Sequence, residues 1–409
     1  MGMNTNDRMD ADLLIVGGGM IGMSLALATA GSGMRVALVD RQTPDDTTTP
    51  AFDGRVSSIS YGSHALFETL GVWRDMAVEA EPILDIRVSD GAAPLFLHFD
   101  HRDVGDRPFG FMVENRFLRI ALLKAVRAQK NISLFAPCAV TDLVRDGRRA
   151  TALLDDGRRL SAPLAAAADG RGSPLREKAG IRNIAWDYPQ TAIVCTVTHE
   201  RPHHGVAKEH FLPAGPFALL PMRGNRSSLV WTERADLADA MLALDDAGFD
   251  AEIAARAGDH LGRIENEGQR WRYPLGLQNA ERYIDHRLAL VGDAAHAMHP
   301  IAGQGLNLGL RDVACLAEIV IDTARLGLDH GGDDVLRRYQ QWRRWDSFTM
   351  LVMTDGLNRL FSNDITPVRL ARDLGLGIVN RAPPLKRFFE RRAAAMTGDL
   401  PKLIRGVAL

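Results

Sequence analysis

Gly17, Gly19 and Gly22 form a Gly-x-Gly-x-x-Gly run between an expected short strand, residues 12–16, and an expected apolar helix, Met20–Ala30. Each glycine has a physical use. The first permits a tight turn, the second lets backbone approach a pyrophosphate, and the third lets helix and strand pack closely. The helix N-terminus then offers free N–H groups and the positive end of its dipole to an anion. Asp40 closes the next expected strand, residues 34–39, and stands 18 positions beyond Gly22. There its carboxylate can accept hydrogen bonds from ribose hydroxyls. This context points to a dinucleotide site, but it does not separate NAD from FAD. Two further runs carry an acid next to glycine. Asp169-Gly170 lies within residues 168–176; alone, Asp-Gly is an ordinary turn. Farther on, a buried strand over 288–291 delivers Gly292 and Asp293 to its carboxyl end. A loop with His299, Pro300, Gly303, Gln304 and Gly305 then leads into a long apolar helix over 306–324.

The elements that must position these residues follow from periodicity. Phe117, Ile120, Leu123 and Val126 recur at helical spacing and predict a helix over 116–129. Residues 43–50 read as a polar loop. Residues 133–135, 140–144 and 150–154 read as small strands, joined by Asp146-Gly147 and Asp156-Gly157 turns. From about residue 181 to 273 the pattern changes. Strands of a second sheet are expected over 193–197, 217–220 and 228–232, with Gly215-Pro216 and residues 223–225 as turns. A short buried strand and the long helix follow, and after Asp334 the chain reads as mostly helical and rich in arginine.

Composition narrows the function classes. The 409 residues are 46% hydrophobic and 24% charged, an ordinary globular balance with chain enough for two or three domains. A net charge of −2 argues against a nucleic-acid binder. Cys138, Cys195 and Cys315 are too scattered for a disulfide framework or a zinc site, and they suit a reducing cytosol. Residues 13–34 carry no charge and are long enough to span a bilayer. Their glycines break them into two apolar blocks, however, and Asp7, Asp10 and Asp12 precede them where a signal peptide has basic residues. A strand, a turn and a buried helix are the expectation. His203, His204 and His210 have no cysteine beside them and read as surface histidines, so no metal site is expected. There is no Gly-x-Ser-x-Gly elbow to suggest a hydrolase.

Taken together, the three runs resemble the aromatic-hydroxylase class of flavoprotein monooxygenases. Residues 299–312 match the ubiquinone-biosynthesis hydroxylase signature, His-Pro-(Leu/Ile/Val)-(Ala/Gly)-Gly-Gln-Gly-x-Asn-x-Gly-x-x-Asp, at every fixed position. The resemblance extends from about residue 12 to about residue 398 and includes 53–60 with Arg55, 211–221, and Trp231-Thr232. It implies bound FAD, with roles that transfer position by position. Asp293, beside Gly292, would hydrogen-bond the ribitol near the pyrophosphate. Pro300, Gly303, Gln304 and Gly305 would run beside the isoalloxazine ring. The first N–H groups of the next helix, at Gly305, Leu306 and Asn307, would point at the N1–C2=O edge, where reduction places negative charge. Asp169 is associated with both FAD and NAD(P)H, and Arg55 and Arg116 match positions near the flavin and pyrophosphate. Asp40, with Arg41 after it, takes the ribose position, where the family often has the longer Glu.

The implied fold is α/β: a doubly wound, Rossmann-like FAD-binding domain (10–75, 105–180 and 275–335), interrupted by a substrate domain on a mostly antiparallel sheet (76–104 and 181–274). A helical C-terminal segment (336–409) follows. The implied reaction uses NAD(P)H to reduce FAD and O2 to form a C4a-hydroperoxyflavin, which hydroxylates a polyprenylated phenol in ubiquinone biosynthesis. NAD(P)H has no second glycine run of its own and would bind transiently. No side chain is identified as a catalytic base. Another aromatic substrate, or a non-hydroxylating enzyme such as a prenyl reductase or halogenase, is the alternative. Inward residues of 211–221 and 229–231 are expected to line an apolar substrate channel. The expected partners are the phenol and no nucleic acid, with a quinone-biosynthesis complex or a homo-oligomer as further readings. From Arg381 to the end, seven basic residues face two acidic ones. Such a run is commonly a solvated face, but it also suits peripheral contact of a cytoplasmic protein with the inner face of the membrane.

Overall fold

Two apolar tetrads, β1 (Leu13–Val16) and β2 (Val36–Val39), are buried at every position, as strands covered on both faces must be. Between them runs α1 (Met20–Ala30), apolar on all sides and buried from Gly22 onward. The chain continues through β3 (Val56–Ser60), α2 (Tyr61–Thr69), β4 (Asp85–Asp90), β5 (Phe96–Asp100) and β6 (Gly110–Glu114). It then forms α3 (Asn115–Ala128), β7 (Ile132–Phe135), β8 (Ala165–Ala167), β9 (Asn183–His199), β10 (Val206–Leu212), β11 (Gly215–Met222) and β12 (Arg226–Arg234). Last come α4 (Asp246–Ala257), β13 (Ile264–Ala280), β14 (Leu288–Leu290), α5 (Gly305–Arg325) and α6 (Asp333–Phe361). The computed structural model describes residues 8–47, 54–91, 96–105, 107–298, 303, 305–361 and 399–409.

Strands β14, β8, β1, β2 and β7 lie side by side in that order, all parallel, with Ile284–Asp285 antiparallel on the β14 edge. α1 packs against both α3 and α5. A four-stranded sheet of Arg8–Asp10, Val140–Arg145, Ala150–Leu154 and Arg159–Ala162 shares this core. The larger, eight-stranded sheet runs from His296–Ala297 through β13, β9, β12, β11 and β10 to β4 and β5. Its pairs are antiparallel except β10 with β4.

Several sequence expectations change here. The stretch 193–197 lies in the C-terminal half of the 17-residue β9, paired with the equally long β13, which periodicity does not reveal. Residues 183–189 of β9 and 265–274 of β13 are largely open to solvent, so no buried apolar run marks them. Pro274 pairs with Thr191 where the register shifts, a place that tolerates its missing N–H. Gly215-Pro216 opens β11 rather than forming the turn; Leu212 pairs with Gly215, and the connection is residues 213–214. Gly215 has φ +139°, and a Cβ there would lie 2.5 Å from Thr232 Cγ2. Within the loop expected over 43–50, Pro44–Thr47 forms one helical turn, and 48–50 lie outside the described residues. His203 is not a surface residue: it is buried, its Nδ1 accepts from the Gly205 N–H (3.0 Å) and its Nε2 donates to Met222 O (2.7 Å).

Candidate active site

The glycine turn is shaped by close approaches. Gly17 has φ +109°, and a Cβ there would lie 2.2 Å from Ala168 O at the end of β8. A Cβ on Gly22 would lie 1.8 Å from Gly17 O, so α1 packs directly on the turn. Gly19 differs: nothing lies within 4 Å of where its Cβ would be. Its open side, at a helix N-terminus with no side-chain cap and no acid in the first turn, is the space a phosphate needs. At the end of β2 the Asp40 carboxylate accepts from the Gly18 and Gln42 N–H groups, the latter at 2.7 Å. Each oxygen keeps a lone pair for a ribose hydroxyl. Arg41 beside it is exposed.

The other two acids stand at the carboxyl ends of neighbouring strands. Asp169 follows β8; its Oδ2 accepts from the Leu175 N–H (3.2 Å), while its buried Oδ1 has no partner. Burial, only partly offset by Ser173, Leu175 and Arg176, pushes its carboxyl above the ordinary range. Asp293 follows β14. Protein crowds it, which also raises its carboxyl, yet the side chain itself is open. Gly292 has φ +62° and its α-carbon side lies against Ile21 of α1. Two polar side chains tie these segments together without having announced themselves in the sequence. Buried Arg176 donates to both Arg171 O and Ala294 O (3.0 Å each), and Gln278 of β13 donates to Arg171 O (2.9 Å) and Asp293 O (3.1 Å).

Asp312, the last fixed position of the signature, is fully buried in α5. It accepts from the Gly292 N–H (2.9 Å), His296 Nε2 (2.6 Å) and Arg343 Nε of α6 (2.7 Å). Burial alone would raise its carboxyl; His296 and the Arg343 guanidinium outweigh that and hold it below the ordinary range. Arg343 also pairs with Asp346, which Arg311 meets in turn. This chain of charges locks the Asp293 loop to two helices.

Asn307 has a role that the resemblance did not supply. Its side chain is committed to β3, accepting from the Ser60 N–H (2.9 Å) and donating to Ser58 O (2.8 Å). The N–H groups of the first turn of a helix have no partner within the helix, and in α5 that turn opens at Gly305. Gly303, at φ +60°, sits against Ser58. Pro300 and Gln304 lie outside the described residues. Arg55 is exposed just before β3, and its carbonyl accepts from the Asn115 N–H (2.9 Å). Arg116 pairs with Glu114 (2.6 Å) beside a cavity of about 110 Å³ that Arg223 and Arg226 also line.

The large sheet has two unlike apolar faces. On one, Phe217, Leu219, Leu229 and Trp231 pack with Phe249 and Ile253 of α4 as closed core. On the other, Phe211 and Leu220 gather with Val56, Met112 and Phe361, and Phe211 stacks on Phe361 at 4.3 Å between centroids. Val56 is two residues from Ser58, so this second face adjoins Gly303 and the start of α5. The expected apolar channel is narrowed accordingly: Leu229, Trp231 and the Phe217 side of β11 face away, while Val230, opposite Ala218, shares the Phe211 and Leu220 side that borders the site.

The family model for an FAD-binding domain matches residues 10–350. The chain is 52% identical to the ubiquinone hydroxylase UbiL of Rhodospirillum rubrum, over 98% of this chain and 94% of that one. It is 35% identical to the 3-demethoxyubiquinol 3-hydroxylase of Escherichia coli, over 92% and 96%. Its fold is similar to the crystal structure of p-nitrophenol 4-monooxygenase from Pseudomonas putida, with a TM-score of 0.78 at 19% identity, over 96% and 99% of the two chains.

Proposed function

The chain belongs to the ubiquinone-biosynthesis hydroxylases among the FAD-dependent monooxygenases, and we propose that it hydroxylates the aromatic ring of a polyprenylated phenol on the route to ubiquinone. It is an FAD-dependent enzyme, with NAD(P)H and O2 as its co-substrates. FAD supplies the redox and oxygen-activating chemistry when bound. The residues fit it: Gly19 leaves space at a helix N-terminus, Asp169 holds a buried unpartnered oxygen, and the Asp293 side chain is accessible. We assign Gly17, Gly19, Gly22, Asp40 and Arg41 to the adenosine and pyrophosphate end, with Arg55 and Arg116 near the pyrophosphate and flavin. Asp169, Gly292 and Asp293 go to the ribitol, and Gly303 and the first N–H groups of α5 to the ring end. Residues 10–75, 105–180 and 275–335 form the FAD-binding domain in this reading, and 76–104 with 181–274 the substrate domain.

The observation that carries the substrate reading is the apolar face of Phe211, Leu220 and Phe361 beside the Gly303–Ser58 junction. It offers a ring an enclosed place next to the flavin end, and an isoprenoid chain would add about 0.8 kcal/mol per buried methylene. That remote binding energy can position the ring and exclude water. The test compares two matched phenols, one with a prenyl chain and one without. Product formed per NAD(P)H oxidised, and kcat/KM, should both be higher for the prenylated phenol. Equal kcat/KM and full coupling with the short phenol would refute the quinone assignment and leave an FAD monooxygenase of another aromatic substrate. Among the described residues no helix is long and apolar enough to cross a membrane. We further infer peripheral contact with an anionic membrane through the basic residues after Arg381; a quinone-biosynthesis complex or a homo-oligomer is compatible with it.

A further inference from the structure

Glu209 lies on β10 between Ala207 and Phe211, which share its face of the sheet by strand alternation. Across the ladder it meets Ala218 on β11 and Val88 on β4. Its chain neighbours point the other way: Lys208 donates to Ala257 O (3.1 Å), and His210 Nδ1 lies 2.7 Å from Ser89 Oγ. Glu209 is therefore an acid on the apolar face that borders the site. Among the described residues, no hydrogen bond or ion pair reaches its carboxylate. Charged groups on the surrounding elements are Asp90 at the end of β4, Glu114 on β6 with Arg116 and Arg226, and Asp355 with Arg359 on α6. None of them moves its titration; burial alone pushes its carboxyl up to about 7. Yet the side chain is only partly buried, so open space lies against it. An unpaired acid in apolar surroundings is costly to keep unless a ligand uses it.

We propose that the Glu209 carboxylate accepts the ring hydroxyl of the phenol and takes its proton as the ring is oxygenated. The proposal rests on the phenol reading above. The phenol O–H bond breaks, the proton goes to a Glu209 oxygen, and the bonding pair stays on the phenol oxygen. That pair enriches the ring carbons ortho and para to it, where an electrophilic oxygen is accepted. When the ring regains aromaticity, the carbon that took the oxygen loses its hydrogen as a proton to the donor's second oxygen, which leaves as water, and Glu209 returns its proton to the phenol oxygen; the proton transfer consumes no oxidant or reductant of its own. A free phenol titrates near 10 and an ordinary Glu near 4.3, so an acid raised toward neutrality is the better-matched acceptor.

The test uses flavin-loaded enzyme with 2-geranylphenol and its methyl ether, which lacks the hydroxyl proton. Binding is followed by the perturbation of flavin absorbance and turnover by NAD(P)H oxidation. The parent enzyme should bind the phenol about tenfold more tightly than the ether, the worth of one charge-assisted hydrogen bond. Glu209→Leu should bind the phenol no better than the ether. Glu209→Gln keeps an accepting oxygen and most of that preference, but should lose the acid limb of kcat/KM near pH 7. Undiminished preference in Glu209→Leu, or a parental acid limb in Glu209→Gln, overturns the proposal. If the parent enzyme turns over no prenylated phenol, the substrate reading fails instead. Bound flavin in each variant, read from its visible absorbance, reports intact folding.

Discussion

A carboxylate raised by burial and left without a full set of partners has work to do or a cost to bear, and Asp169, Glu209 and Asp293 are such groups. Asp293 stood out in the sequence through the motif that carries the family resemblance, and it lies just past the carboxyl end of β14. Replacing it with Ala removes acceptors for charge-assisted hydrogen bonds worth about 1.5–3 kcal/mol each. FAD affinity should therefore fall about tenfold or more, as read by fluorescence titration; unchanged affinity would refute its assignment. Glu209 was not legible. It sits between a lysine and a histidine in a polar-looking stretch, and only the pairing of β10 with β11 and β4 shows that it faces the apolar side. Its folded titration near 7 lies above the unfolded value near 4.3, so the folded state holds the proton more tightly. The stability this confers is complete below about pH 4.3 and is lost as pH rises through 7. The flavin-loaded Glu209→Gln variant should accordingly have a higher Tm than the parent at pH 8 and an equal one at pH 4. A difference that is the same at both pH values would contradict the burial of that carboxyl.

At the level of elements, the strand–helix–strand at the N-terminus was readable to within two residues, because its apolar blocks and glycines leave one arrangement. What holds the far side of the site was not readable. Arg337, Arg338, Arg343 and Arg344 look alike in the sequence of α6, yet only Arg343 is buried against Asp312. Which arginine turns inward depends on how α6 crosses α5, and periodicity alone does not encode that crossing. The same is true of the Asn307 side chain, whose bonds to β3 the sequence does not show. Arg343→Met leaves the Asp312 carboxylate buried with the Gly292 N–H and His296 as its remaining partners. Breaking a buried pair in this way costs about 3–5 kcal/mol. A lower urea midpoint and weaker FAD retention should follow, since Gly292 and Asp293 hang on the same carboxylate. Adding Asp312→Asn should recover part of the midpoint; if the double variant were less stable still, the charge pairing would not be the cause.

The whole molecule closes on its own C-terminus, which changes how the basic tail must be tested. Residues 399–409 return to the nucleotide half: Leu403 and Ile404 are buried, Lys402 pairs with Asp322 (3.1 Å), and Trp342 Nε1 donates to Asp399 O (2.7 Å). Deleting 381–409 would therefore open the core as well as remove charge, and could not isolate a membrane effect. The remaining basic residues, Arg381, Lys386, Arg387, Arg391 and Arg392, fall outside the described residues, but the ends of their segment are placed. The described chain stops at Phe361, which stacks on Phe211 at the apolar face, and resumes at Asp399. A substrate with a long isoprenoid chain partitions into the bilayer, so basic residues that bind anionic lipid would hold the enzyme near its source. Each basic residue close to an anionic surface is worth about 1 kcal/mol, and the effect fades within a Debye length of about 8 Å at physiological salt. Changing those five residues to Gln removes the charge and keeps 399–409 in place. At low salt this variant should co-sediment less with phosphatidylserine-containing vesicles than the parent does, with equal bound flavin and equal turnover of a soluble short-chain phenol. Added salt should bring the two proteins together. Equal co-sedimentation at low salt would leave the five residues as a solvated face and the prenyl chain alone to bring substrate to the enzyme.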